Sequence, residues 1–281
     1  MTAPMYEGPI RVGRFGSLSE RPHTVWRCSV CGAGCLDEQT LIDYGSAEYR
    51  ELVDGGDTVE QFHALHDGEQ AEKLRIVGAD RLRDRVVADI GCGAGSFLDL
   101  AKGMACATLG IEPNRAYHDT LRASGHAVFP YADQVSDEWV GRVDLAVCFS
   151  VVEHVQDPVG LLAGIRHLLA PTGRLVLSTP NRRDWLLEVL PQDYGAFFYR
   201  LVHQWYFDAA SIEQLALRAG FSHCAVAYVH RFDLSNLLLW LRDRRPTGLG
   251  KLAVPAALDA AYARGLEAAG RADYLYATLA F

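Results

Sequence analysis

Residues 85–95 read Arg85-Val86-Val87-Ala88-Asp89-Ile90-Gly91-Cys92-Gly93-Ala94-Gly95. The first half is a short apolar run of strand length, and the second is a glycine-rich turn that opens a helix over Ser96–Lys102. Working outward, the same alternation repeats. Ala105–Glu112 reads as a strand, Arg115–Ser124 as a helix, His126–Pro130 as a strand and Arg142–Phe149 as another. Pro158–Leu169 reads as a helix, Arg174–Ser178 as a strand, and Asp208–Ala219 as a helix with an Asp cap and Gly220 at its end. Ser222–His230 and Tyr274–Phe281 are late strands. Strands that alternate with helices give an α/β fold with a mainly parallel sheet covered on both faces.

Upstream, Thr58–Val77 places Val59, Phe62, Leu65, Ala71, Leu74 and Val77 at helical spacing, and Gly68 is expected to bend or interrupt it. Residues 1–57 have little periodicity and read as an irregular cap; residues 58–281 form the main domain. Two stretches exceed the minimal alternation, 181–207 and 231–271. In open α/β sheets the ligand sits beyond the carboxyl ends of the strands, where inserts of this kind build a substrate lid.

The chain has 281 residues, 49% hydrophobic and 22% charged, with a net charge of −8. That balance argues against a protein devoted to gripping phosphate backbones, which needs Lys and Arg in excess. No stretch approaches the ~20 apolar residues of a membrane span, and MTAPMYEGPIRVG lacks a signal-peptide core. The seven cysteines then read as reduced thiols in a cytoplasm. A small-molecule ligand is the expected partner, and homo-oligomerisation is left open.

A glycine loop alone does not name its ligand. Asp89 narrows the choice. A pyrophosphate against the helix start would be repelled by a carboxylate two residues before the loop, and the third glycine of the dinucleotide pattern is replaced by Ser96. S-adenosylmethionine (SAM) carries a cationic amino group and a sulfonium, and suits an acid there. Glu112, about 20 residues on at the end of the second strand, is placed for ribose hydroxyls. Asp133, after the third strand, is placed for the adenine amino group.

With these residues go Ile111-Glu112-Pro113, Val151-Val152-Glu153-His154-Val155-Gln156-Asp157-Pro158 and Gly173-Arg174-Leu175-Val176-Leu177-Ser178-Thr179-Pro180-Asn181. As a set they resemble the class I SAM-dependent methyltransferases, above all the branch with the ubiquinone-biosynthesis O-methyltransferases, over about residues 75–230. The resemblance implies a Rossmann-like seven-stranded sheet with a reversed last strand. It implies that Asp89, Gly91 and Gly93 line the methionine part, Glu112 the ribose and Asp133 the adenine, with Cys92 and Pro113 also among the cofactor-binding residues and Phe149 and Ser150 at the reacting centre. Some relatives with the Glu-His pair bind a divalent metal through a further acid three residues earlier; that place is Ser150. His154 then reads as a general base or as a structural hinge.

In the cap, Arg27-Cys28-Ser29-Val30-Cys31-Gly32, with Asp43-Tyr44 and Glu48-Tyr49-Arg50, is similar to the second knuckle of a zinc segment that precedes the SAM domain in sugar and natural-product methyltransferases. The first knuckle is missing. Cys28, Cys31, Cys35 and His23 make up a four-ligand candidate set; His63 and His66 are alternatives to His23, and a zinc-free remnant is the other reading. The remaining cysteines read as small buried hydrophobes.

The first insert is rich in aromatics from Tyr194 to Phe207. His203 and Tyr199 are its polar exceptions, His203 as a second candidate base and Tyr199 as a substrate contact. Phe232–Arg242 reads as an amphipathic helix whose Asn236 is a further substrate candidate. The expectation is a methyltransferase acting on a small acceptor, at a hydroxyl of a sugar-related or other specialised metabolite. A non-catalytic SAM-binding partner, methylation at nitrogen, carbon or carboxylate, an RNA substrate, and a nicotinamide oxidoreductase are the rival readings.

Overall fold

The computed structural model describes residues 3–13, 17–38, 43–46, 58–247 and 251–281. Its centre is a seven-stranded sheet built from β4 (Val86–Ile90), β5 (Ala107–Ile111), β6 (Ala127–Phe129), β7 (Val143–Phe149), β8 (Leu169–Pro180), β10 (His223–Val229) and β11 (Tyr274–Ala280), in the order β10-β11-β8-β7-β4-β5-β6. β4 to β8 run parallel, while β11 lies antiparallel to both β8 and β10. The reversed last strand is as expected.

The central strands are apolar throughout because both faces are covered. On one face Ala88, Ile90, Ala146, Cys148, Leu175 and Leu177 pack with Leu162, Ile165, Ile212 and Leu215, which come from α4 (Pro158–Leu168) and α7 (Ala209–Arg218). On the other, Val87, Leu145, Val147 and Val176 meet Val77, Phe97 and Ala101 from α1 (Val59–Val77) and α2 (Ser96–Lys102). Among the described residues, the remaining α-helices are α3 (His118–Ala123), α5 (Trp185–Val189), α6 (Asp193–Phe198), α8 (Leu234–Asp243) and α9 (Ala256–Ala268).

Caps set the helix starts as the sequence suggests. Asp157 accepts from Gly160 N ahead of α4, and Asp208 shares a capping box with Ser211 at α7. Two expectations need correction. α1 is continuous through Gly68, fixed at its start by the Thr58–Gln61 capping box. One interior glycine costs a helix only about 1 kcal/mol. Second, the N-terminal segment is not irregular: β1 (Pro4–Gly8), β2 (His23–Arg27) and β3 (Gly34–Leu36) join β9 (Trp205–Tyr206) in an antiparallel four-stranded sheet. This sheet and the inserts share a separate core, in which Tyr6, Ile10, Val25 and Leu36 pack with Leu186, Tyr194, Tyr199, Tyr206, Leu237 and Trp240. Glu48, Tyr49 and Arg50 lie outside the described residues.

Candidate active site

The parallel register sets Asp89 beside Gly110 on β5 and Val147 on β7, and Phe149 beside Ser178 on β8. The carboxyl ends of these strands therefore open onto one place. There lies a cavity of ≈ 760 Å³, lined by Asp89, Gly91, Cys92, Glu112, Pro113, Phe149, Ser150, His154 and His203 among others. This volume is in the range of small-ligand sites.

Gly91 takes φ +74°, and a Cβ there would come within 2.4 Å of Val151 Cγ2. Gly93 takes φ +54°, and a Cβ would meet the Phe62 ring at 2.2 Å. The loop thus needs both glycines for its turn and for close packing. Glu112 is only 1% exposed. Its carboxylate accepts from Gly93 N and Asn114 N, both at 2.8 Å, which locks the acid onto the glycine loop. Asp89 is 4% exposed. Burial raises its pKa to about 7; Lys73 opposes this and Glu112 adds to it. A buried carboxyl group held in this way fits a cationic ligand group.

Across the cavity, the first insert folds back on the Glu-His loop. Gln204 N and Trp205 N donate to Glu153 O at 2.8 and 3.1 Å, and Trp205 Nε1 donates to Val155 O at 3.1 Å. These bonds bring the rings of His154 and His203 edge to face at 4.7 Å. His154 Nδ1 donates to Val202 O at 2.9 Å, which leaves the lone pair of the neutral ring on Nε2. Burial, His154 and the nearby Arg200 and Arg11 hold His203 well below the ordinary histidine range. Ligand atoms of Glu153, His154 and His203 lie within 4.8 Å of one another. Both Glu153 oxygens are buried with no hydrogen-bond partner among the described residues, and burial pushes this acid up to about 7.

Several expected residues fall elsewhere. Gly93 does not line the cavity; its N–H instead holds Glu112. Asp133 is exposed on the turn Ala132–Gln134, and its neighbours Pro130, Tyr131 and Ala132 line the cavity instead. Tyr199 is buried among Tyr6, Phe198 and Tyr206 and is absent from the cavity wall. Asn236 sits in the first turn of α8, away from the cavity, and its N–H serves the Asp233 cap. Tyr199 follows α6 directly and is claimed by the second core.

The candidate zinc set is not assembled either. Among the described residues, Cys28, Cys31, Cys35 and His23 form no metal-competent group. His23 Nδ1 is engaged with Asp37 at 3.2 Å, and Cys35 is buried in β3, its Sγ 3.5 Å from Leu36 O. His63 Nδ1 lies 3.0 Å from Ser96 Oγ, while the ring of His66 packs 4.3 Å from that of Phe62. The sequence reading missed Phe62 and Lys73 on α1, Arg11, Arg200 and Tyr274, all of which line the cavity. Only the helical pattern of 59–77 could have flagged the first two.

Residues 64–225, more than half of the chain, match the family described as "Methyltransferase domain". The chain belongs to this methyltransferase-domain family. The resemblance read from the glycine loop, Glu112 and the Glu-His loop is thereby borne out. A ubiquinone biosynthesis O-methyltransferase of Pseudomonas paraeruginosa is 30% identical over 49% of this chain and 63% of its own length. The match thus spans less than two thirds of that relative. One of Neisseria meningitidis serogroup C is 26% identical over 66% of this chain and 84% of its own. The fold is also that of a SAM-dependent methyltransferase from Archaeoglobus fulgidus, with TM-score 0.51 and 17% identity over 83% of this chain and 97% of that one. Among the described residues, no helix is long and apolar enough to cross a membrane.

Proposed function

We infer that this protein transfers a methyl group from SAM to a hydroxyl oxygen of a small-molecule acceptor. One observation carries the reading: two buried acids, Asp89 and Glu112, share a cavity with two histidines on its far side. In its bound state SAM supplies an electrophilic methyl on a good leaving group. Asp89 would hold the cationic amino group and Glu112 the ribose hydroxyls. Cys92 and Pro113 would line the rest of the donor, with Phe149 and Ser150 at the reacting centre. The protein's task is then alignment and exclusion of water. His154 Nε2 would take the acceptor's proton as the hydroxyl oxygen bonds to the methyl carbon and the carbon–sulfur bond breaks. His203, kept neutral, would orient the acceptor.

The relatives' names favour oxygen as the methylated atom. A sugar-related or other specialised metabolite remains the acceptor class we carry forward, together with a cytoplasmic location. The division into a 1–57 cap and a 58–281 domain is part of the same proposal. The test is S-adenosylhomocysteine release across an acceptor panel, together with SAM titration of the Asp89→Ala and Glu112→Ala proteins. Each variant should raise the SAM Kd at least tenfold, about 1.4 kcal/mol, while staying folded. Unchanged SAM binding in both would sink the assignment. Once an acceptor is found, His154→Asn should lower kcat by roughly 10²–10⁴-fold.

The partnerless oxygens of Glu153 favour a second reading of the far side. Glu153, His154 and His203 supply the mixed oxygen and nitrogen donors that a divalent cation accepts. Such an ion would acidify the acceptor hydroxyl in place of a base. Turnover abolished by chelation and restored by one added metal would select this reading; turnover indifferent to chelation would select the base.

A further inference from the structure

Arg11 and Arg200 form a parallel β-bridge, with Arg11 N donating to Tyr199 O and Leu201 N to Arg11 O, both at 2.9 Å. Such a bridge sets the two side chains next to each other, and both line the cavity. The pairing is held from a second side. The buried Tyr206 hydroxyl accepts from Arg200 N and donates to Arg200 O, each at 2.9 Å. The Arg11 guanidinium lies 4.1 Å over the Phe197 ring.

Two guanidiniums side by side in a partly buried wall repel each other. Burial and Arg200 together bring Arg11 down to about 9. Arg182, Arg231 and Arg271 are paired with Asp208, Asp273 and Glu188. Arg200 has no ion pair among the described residues, and its buried Nε has no hydrogen-bond partner there. An oxyanion in the cavity beside this pair would pair with the Arg200 fork and supply the acceptor that it lacks.

We propose that Arg200, with Arg11 beside it, forms an oxyanion subsite, so that the acceptor carries a carboxylate or phosphate group besides the hydroxyl that is methylated. This deepens the proposed methyl transfer and rests on it. The donor's own carboxylate has a different candidate, Lys73, which acts on Asp89 from α1.

The experiment titrates S-adenosylhomocysteine-saturated protein with benzoate, phenyl phosphate and the neutral isostere benzamide, followed by ligand-observed NMR. One of the two anions should bind at least tenfold tighter than benzamide, and which one does so tells carboxylate from phosphate. In Arg200→Gln that ratio should fall to about one, and Arg200→Lys should keep part of it. SAM affinity should be the same in wild type and Arg200→Gln. Equal binding of all three probes, absence of binding by both anions, or a ratio unmoved in Arg200→Gln overturns the subsite. So does a tenfold loss of SAM affinity in Arg200→Gln, which would give Arg200 to the donor. Failure of wild-type protein to bind SAM at all would instead strike the underlying methyl-transfer reading.

Discussion

Asp89 is the residue at which charge, burial and ligand chemistry meet. Its pKa stands at about 7 instead of the ordinary 3.8 because folding removes it from water. Between those two values the native protein keeps a proton that the unfolded chain releases. The stability this group contributes is therefore full below about pH 4 and is lost as pH rises through 7. Denaturant unfolding of the SAM-free protein from pH 4.5 to 8 should show that fall, and Asp89→Asn, neutral at every pH, should flatten it. An identical slope in the variant would show that Asp89 titrates normally. A cationic donor reverses the balance, so SAM binding near pH 6.5 should release a proton, readable by calorimetry in buffers of different ionisation enthalpy.

At the scale of elements, two glycines of one chain have opposite consequences. Gly68 is exposed in the middle of α1, has a helical φ, and has nothing within 4 Å of an added Cβ. Gly68→Ala should stabilise the protein by about 0.5–1 kcal/mol by restricting the unfolded chain. Gly93 combines φ +54° with a 2.2 Å approach to Phe62; Gly93→Ala should displace α1 from the loop, lower Tm by several degrees and weaken SAM binding. Melting curves of the pair give the two signs directly. The strands and helices of the large sheet were legible because each is encoded locally, by an apolar run followed by glycine or by a capping Asp. Asp89, Glu112 and the Glu-His loop were legible for the same reason. The strands β1–β3 were not, since they are short and their partner β9 lies far along the chain. Nor was the Arg11–Arg200 pairing, which exists only once that sheet has formed. Tyr199 misled because polarity in an insert looks like function until packing accounts for it, and Asn236 because its place on α8 lies off the cavity wall.

For the molecule as a whole, the two cores divide the labour. One holds the donor-side strands, and the other joins the N-terminal sheet to both inserts. Ile10 is fully buried in the second. Ile10→Ala should cost about 2–5 kcal/mol, and the loss should be local. Hydrogen exchange should speed up in residues 3–13, 23–36 and 185–206 while β4, β5, β7 and β8 stay protected. Uniform loss of protection would mean that the two cores melt as one.

The pairing of Gly34–Leu36 with Trp205–Tyr206 also has a consequence for biogenesis. On the ribosome the first three strands emerge early, but the strand that completes their sheet is made on the order of ten seconds later at ordinary elongation rates. Meanwhile the hairpin presents an open edge, the kind that invites pairing with a neighbouring nascent chain. Expression at low temperature or with a holdase chaperone should therefore improve the soluble yield of this protein more than it improves that of a relative without the N-terminal strands.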